Sequence, residues 1–210
     1  MINVLHRSLV IASVACLAVT TACGAGSDDG DTSPTPAPSA AEALPITAHV
    51  LAVDALPGLT AEEPAEEQDP EAFARAHEKK VADLLESGFV SGATQLFDGP
   101  HHGFALSIAG RYDDPAAART EADRLFASNS EPSPGMTVEP LEVPGVPEAQ
   151  AVMMSGAQGG RQYVGVEIVF VDDTVLHEVF AVGEESRLAV DSVVDAATDL
   201  HDQVAGHPVE

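Results

Sequence analysis

The chain has 210 residues, of which 34 are acidic and only 9 are lysine or arginine, so its formal net charge is −25 at neutral pH. A surface with this charge repels phosphate backbones, and the composition therefore argues against nucleic-acid binding. Hydrophobic residues make up 45% of the chain and aromatic residues 4%, which predicts a single globular domain with a mainly aliphatic core.

Residues 1–22 have the pattern of a secretory signal peptide. Arg7 and the amino terminus supply positive charge, residues 9–19 are an apolar run, and small residues precede Cys23. The run is shorter than the roughly 20 apolar residues that a spanning helix needs. Residues 20–23 (TTAC) resemble a bacterial lipoprotein signal, although Thr20 stands where leucine is usual.

This resemblance implies that Cys23 is diacylated, becomes the mature N-terminus and anchors the chain to the outer face of the cytoplasmic membrane. Two acyl chains are enough for stable anchoring. Cys16 would leave with the signal, so the mature chain would contain one cysteine and no internal disulfide. Ordinary secretion without lipidation is the alternative.

Residues 23–43 are predicted to be the lipidated cysteine followed by a flexible linker. The linker is rich in Pro, Ser, Thr, Asp and Ala and contains too little apolar surface to fold. Its acidic group at residues 28–31 lacks the ligand spacing of a calcium loop. The globular domain is expected at residues 44–210.

The first half of this domain predicts a helix followed by two strands. Residues 46–56 are interpreted as a strand or an extended entry segment, and residues 61–68 as an acidic loop. Asp69 and Pro70 form a helix-start signal, and Gly88 is expected to close that helix. Residues 89–97 and 104–108 then alternate as strands.

The second half of the domain is predicted to contain a helix, several strands and a closing helix. Asp114 and Pro115 start a helix that residues 128–130 end, and a short strand is expected near Val138. A strand at 150–155 leads into a glycine turn at 156–160. Residues 163–171 and 174–182 are expected to form a β-hairpin, and residues 186–204 the last helix.

These elements predict an α+β domain in which about three helices cover one face of an antiparallel sheet. Three phrases carry a further resemblance: residues 56–58 (LPG), 88–93 (GFVSGA) and 143–147 (VPGVP). With the late hairpin and the closing helix, they resemble small exported lipoproteins of actinobacteria whose function is unknown. The resemblance implies an envelope location and transfers no active site.

Histidines are the main candidates for chemistry. His101 and His102 are adjacent in a Gly/Pro loop, and imidazole is a common metal ligand, but two ligands are too few for a structural zinc site. His77, His177 or an acidic side chain would have to complete it, so a solvated loop is the favoured interpretation. His177 and Glu178 begin like a zinc-protease motif, but they lie in a predicted strand, where neighbouring side chains point to opposite faces. We therefore expect His177 on the sheet surface or near the hairpin.

The sequence contains no nucleophile elbow, no Ser-x-x-Lys motif and no phosphate loop. The leading hypothesis is a non-catalytic, membrane-anchored binding or interaction module with no cofactor, whose partner is an unidentified envelope component. The alternative is a carrier of a lipid or another apolar small molecule, which needs a cavity of roughly 300–1,000 Å³ between sheet and helices. A hydrolase or metal-binding protein ranks third, and it would require a cleft that holds a histidine beside a carboxylate with a strongly shifted pKa.

Overall fold

The computed structural model describes residues 43–100 and 103–209. Its strands are Thr60–Ala61 (β1), Glu67–Gln68 (β2), Phe89–Asp98 (β3), Phe104–Tyr112 (β4), Met136–Pro140 (β5), Gln150–Gln158 (β6), Arg161–Asp172 (β7) and Val175–Glu184 (β8). Its α-helices are Pro70–Ala76 (α1), Val81–Glu86 (α2), Pro115–Asn129 (α3) and Val190–Val204 (α4), and a 3-10 helix lies at Ile46–His49.

The strands form one antiparallel sheet in the order β1-β3-β4-β8-β7-β6-β5, with β2 also paired to β3. The predicted α+β class is confirmed. Tight hairpins connect β6 to β7 and β7 to β8. Gly159 and Gly160 have φ values of 59° and 81°, the left-handed conformation that a two-residue hairpin turn needs at both positions. The late hairpin turns at Asp173 and Thr174, one residue later than predicted.

Both Asp-Pro helix signals are confirmed. The Asp69 carboxylate accepts a hydrogen bond from the Ala72 N–H at 2.8 Å, at the start of α1. The Asp114 carboxylate accepts from two backbone N–H groups of the first turn of α3, at 2.8 and 2.9 Å. Each proline follows its cap, where its missing N–H costs nothing.

The single helix predicted from Asp69 to Gly88 is wrong, because the chain breaks it into α1 and α2. Glu78 has a φ of 52°, which is incompatible with a continuous helix, and the turn lets Phe73 and Leu84 both reach the sheet. Leu85, which follows the buried Leu84 on α2, is 58% exposed. Phe73 and Leu84 are both buried, although they lie on two helices and not on one.

Two other boundaries differ from the sequence prediction. Residues 46–49, which lie in the predicted strand or extended entry segment over 46–56, form a 3-10 helix whose buried side chains, Ile46 and His49, pack on the sheet face. The last helix begins at Val190, four residues after the predicted start, because residues 185–189 form a turn from β8 into the helix.

The prediction that helices cover one sheet face is also wrong, because both faces are covered. Helix α4 and the 3-10 helix pack on one face, which we call the α4 face, against residues such as Phe97, Ile168 and Val179. Helices α1, α2 and α3 pack on the other, the α3 face, against residues such as Ile108 and Val169. Burial on both sides explains why β7 reads as a nearly continuous apolar run.

Candidate functional site

A surface cleft of about 340 Å³ lies between helix α4 and the segment that precedes β1. We call it the α4 cleft, and we call residues 43–57, which supply one side of it, the wall segment. The lining residues are Leu51, Ala52, Asp54, Ala55, Pro57, Ser192, Asp195, Ala196, Asp199, Leu200 and Gln203. The volume falls within the range of small-molecule sites.

The α4 cleft has an apolar floor and an acidic rim. Leu51 and Leu200 are buried at its base, whereas Asp54 on the wall segment and both Asp195 and Asp199 on α4 are exposed. The two helical aspartates are four residues apart and therefore lie on the same side of α4. None of the lining residues is a lysine, arginine or histidine, so the cleft attracts cations.

The wall segment is held to the domain by a small number of long-range hydrogen bonds. The Leu51 N–H donates to the buried Ser107 Oγ on β4 at 3.1 Å, and the Gln203 side chain on α4 donates to the Ala48 carbonyl at 3.1 Å. The Leu44 N–H donates to the Pro208 carbonyl at 2.8 Å. The shape of the α4 cleft depends on these contacts, because they fix one of its two sides.

Three histidines meet where the wall segment packs on the sheet and α4, and we call His49, His177 and His201 the histidine group. His49 and His177 are 1% and 0% exposed, and their ring centroids are 5.5 Å apart. His177 stacks on Phe170 at 4.5 Å, and His201 meets the edge of the same ring at 5.8 Å. The predicted surface position of His177 is therefore wrong, because the sheet face on which it lies is covered by the 3-10 helix and α4.

The hydrogen bonds of this group are incomplete. His177 Nδ1 lies 3.0 Å from the His49 carbonyl oxygen, which can only accept, so Nδ1 carries the proton and Nε2 a lone pair. That Nε2, both ring nitrogens of His49 and Nδ1 of His201 are buried without a hydrogen-bond partner. Burial, reinforced by His207, lowers the pKa of His49 to about 4. Burial, reinforced by His49, lowers the pKa of His177 to about 3.

The α3 face contains a buried pair of carboxyl groups. Glu167 on β7 and Glu178 on β8 are 1% and 8% exposed, and Asn129 at the end of α3 donates to Glu167 at 2.8 Å. Burial raises the pKa of Glu167 to about 8, and the charge of Glu178 adds to the effect. Burial also raises the pKa of Glu178. Neither carboxyl lines the α4 cleft or the smaller cavity of about 120 Å³ beside α3.

A third polar cluster lies nearby on the α3 face. Arg124 donates to the Glu121 carboxylate at 2.7 Å, and Lys79 lies 3.6 Å from it. Burial opposes ionisation of Glu121, but the hydrogen bond and charge of Arg124 outweigh it, so the pKa of Glu121 falls below its ordinary value. His77 is hydrogen-bonded to Thr94 at 2.9 Å on this same face. The Lys79 contact joins the segment after α1 to α3, and the His77 contact joins the end of α1 to β3.

The structure separates the residues that the sequence singled out. Cys23, His101 and His102 lie outside the described residues. His77 and His177 lie on opposite sheet faces, so they do not share a site. Glu178 also points away from His177, as the strand geometry predicted. Within residues 43–100 and 103–209, no group of three or more histidine, cysteine or acidic side chains is arranged to hold a metal ion.

Sequence reasoning missed the α4 cleft and the histidine group. Their parts come from the two ends of the domain: His49 and His177 are 128 positions apart. The signals available were a histidine in an apolar segment (residues 46–51) and another inside a mainly apolar strand, Val175–Glu184. Neither signal identifies the residue that the histidine contacts, because the contact between His49 and His177 depends on the path of the whole chain.

None of the helices in the described ranges has the length and apolar character needed to span a lipid bilayer. No protein-family model matches this chain, and no curated protein matches it. Among solved structures, it is similar to the extracellular domain of PknH from Mycobacterium tuberculosis, with 10% identity, a TM-score of 0.49, and coverage of 70% of this chain and 84% of that one. It is also similar to a putative uncharacterized protein, the Rv0999 ortholog from Mycobacterium smegmatis, with 15% identity, a TM-score of 0.38, and coverage of 70% and 90%.

Proposed function

We propose that this chain is an exported binding module without catalytic activity, anchored to the outer face of the membrane by a lipid on Cys23. We further assign its ligand site to the α4 cleft, and its ligand class to small cations with an apolar body. The observation that carries the assignment is the combination in one cleft of an apolar floor with three aspartates and no basic side chain.

The two parts of such a ligand would meet matching surfaces. An alkyl chain would cover Leu51, Ala196 and Leu200, at roughly 25 cal/mol for each Å² of apolar area removed from water. An ammonium group would lie near the aspartates of the rim. A charge pair at 4 Å contributes about 1 kcal/mol in a water-exposed setting, which is about fivefold in affinity, so an ammonium group near two of the aspartates is expected to bind more than about tenfold more tightly than a neutral group.

Octylamine tests the ligand class, with octan-1-ol and octanoate as probes of the same chain length. We expect isothermal titration calorimetry at pH 7 to show octylamine binding at least about tenfold more tightly than octan-1-ol, and no binding of octanoate. Asp195→Asn should weaken octylamine binding. Asp191→Asn, which removes the same charge from the same helix outside the cleft, should leave affinity unchanged.

The alternative function is a carrier of a lipid or another apolar small molecule. The volume of the α4 cleft, about 340 Å³, reaches the lower end of what such a carrier needs. This alternative predicts that octan-1-ol binds as tightly as octylamine and that Asp195→Asn has no effect. Equal affinity for the two probes would therefore replace the cation proposal with the carrier.

The anchor is tested separately from the cleft. Wild-type protein from membrane fractions should show the mass of a diacylated N-terminal cysteine, whereas Cys23→Ser should be recovered in the culture medium or unprocessed. Cys16→Ser is the matched control and should be lipidated normally, because Cys16 lies within the signal. Membrane retention of a Cys23→Ser protein that has been processed, equal to that of wild type, would contradict the tether.

A further inference from the structure

We propose that the histidine group is a proton-sensitive switch that keeps the wall of the α4 cleft closed at neutral pH and releases it in acid. The inference deepens the proposed function, because the wall segment forms one side of the proposed ligand site. It follows from where the three rings lie, which nitrogens have no partner, and what holds the wall in place.

The rings lie on the two elements that line the cleft and on the strand beneath them. His49 belongs to the wall segment, His177 to β8 beneath it, and His201 to α4 on the opposite side. The hydrogen bond from His177 to the His49 carbonyl ties the wall to the sheet, and the two rings are stacked at 5.5 Å. Charge on these rings therefore acts directly at the junction between wall, sheet and helix.

The site accommodates the neutral imidazole rings of His49 and His177, but it offers no hydrogen-bond acceptor for the additional N–H of a charged ring. A proton added to His177 must go to Nε2, which is buried and has no hydrogen-bond acceptor. A charged His49 carries a proton on both ring nitrogens, and both are buried without an acceptor. Two imidazolium rings at this separation would also repel each other, since both rings are buried and solvent screens their charges little. A buried charge without a partner is among the most costly features of a folded protein.

The ionisable groups around His49 and His177 do not offset the cost of charging these two rings. His207 lies near His49, and its charge acts with burial to lower the pKa of His49. Asp202 is 3.6 Å from Nδ1 of His201, and Asp172 faces His201 and His207 while accepting a backbone hydrogen bond from Gly206. Both carboxylates therefore act on the outer histidines. The neighbours of His177 across the sheet are Phe170 and Ala109, which do not titrate.

The direction of the effect follows from linkage. Folding lowers the pKa values of His49 and His177 from 6.5 to about 4 and about 3, so the closed state binds fewer protons than an open state. The contribution of the neutral rings to closure is complete above pH 6.5 and is lost progressively as the pH falls below it. The wall segment is the element that yields first, because it is attached to the sheet by few hydrogen bonds, whereas β7 and β8 are central strands.

Hydrogen–deuterium exchange measured by mass spectrometry, corrected for intrinsic exchange rates, tests this switch on the full domain. Between pH 7 and about pH 4.5, we expect amide protection in residues 43–57 to fall by about 10- to 100-fold for each of the two histidines that gains a proton on opening. Amides of β7 and β8 should keep their protection. Unchanged relative protection of the wall segment would overturn the proposal.

Variants separate the histidine group from general acid effects. His177→Asn keeps an N–H donor near the position of Nδ1 and cannot be protonated, and His49→Phe keeps a ring of similar shape. The double variant should lose most of the acid-induced exchange, and His177→Asn alone, the less disruptive change, should lose part of it. His77→Asn removes a histidine on the opposite face whose pKa is also lowered to about 4, and it should behave as wild type. An equal effect of His77→Asn would contradict the assignment.

Octylamine binding then distinguishes the switch from the ligand site. If octylamine fails to bind at pH 7, the proposed ligand is wrong, and exchange in the wall segment still decides whether the switch exists. If octylamine binds, its affinity should fall more steeply with acid in wild type than in His49→Phe/His177→Asn. An identical loss in both proteins would show that the histidines do not control the cleft.

Discussion

Glu167 and Glu178 lie on adjacent strands of the α3 face, and their side-chain carboxyl groups interact directly beneath the end of α3. Glu178 pairs with Val169, two residues along β7 from Glu167, so the two carboxyls meet diagonally across the strands. Ionising both carboxyl groups in so buried a position would cost much free energy, and one proton shared between them removes the repulsion. This pair makes the stability of the domain dependent on pH in the neutral range.

Glu167→Gln should remove much of that dependence. The folded pKa of Glu167 is raised from 4.5 to about 8, so the free energy of unfolding should fall as the pH rises from 4.5 to 8. Glutamine resembles the protonated acid and can still accept from Asn129. The variant should be more stable than wild type at pH 8 by about 1–3 kcal/mol in urea denaturation, with little difference at pH 5. Glu139→Gln, an exposed change on β5, should leave the pH profile unaltered.

Ser107→Ala should loosen the wall of the α4 cleft. The Ser107 hydroxyl is fully buried and accepts the hydrogen bond from the Leu51 N–H, so its loss leaves a buried donor unsatisfied. We expect a loss of about 1–3 kcal/mol of stability, faster amide exchange in residues 43–57, and weaker octylamine binding. Ser91→Ala is the matched control, because the Ser91 hydroxyl is buried without a partner. The prediction is wrong if the two alanine variants are equally stable.

Gly92→Ala should damage the contact between α1 and the sheet. A methyl group at this position would lie 2.8 Å from the ring of Phe73 and 2.9 Å from the Ala109 carbonyl oxygen, which is closer than carbon atoms approach in proteins. The expected cost is about 1–3 kcal/mol, seen as a lower thermal midpoint. Gly165→Ala places the same methyl in β7 with its nearest neighbour at 3.5 Å and should be tolerated far better.

Asp114→Ala should weaken α3 at its first turn. The carboxylate accepts two backbone hydrogen bonds there, and removal of such a cap costs about 1 kcal/mol. Urea denaturation of Asp113→Ala provides the comparison, since that change removes the neighbouring acidic side chain and leaves the cap in place. Equal destabilisation by both variants would show that charge, and not capping, stabilises this helix.

Local signals account for the parts of the fold that the sequence predicted correctly. The Asp-Pro pairs at 69–70 and 114–115 start helices because capping is satisfied within a few residues, and the β7–β8 hairpin follows from two apolar runs separated by a short polar turn. The same reasoning failed at Glu78, where the helix breaks so that both of its parts can pack on the sheet. It also failed at His177, whose strand position gave no indication that the outer face would be covered.

Interactions between neighbours in the chain are enough to predict the α+β class, the two Asp-Pro helix starts and the late hairpin. The position of the α4 cleft, the contact of His49 with His177 and the contact of Glu167 with Glu178 depend instead on the path of the whole chain. The physical reason is that these contacts join residues that are distant in sequence or on adjacent strands, and their burial and pKa values depend on what the rest of the chain places over them.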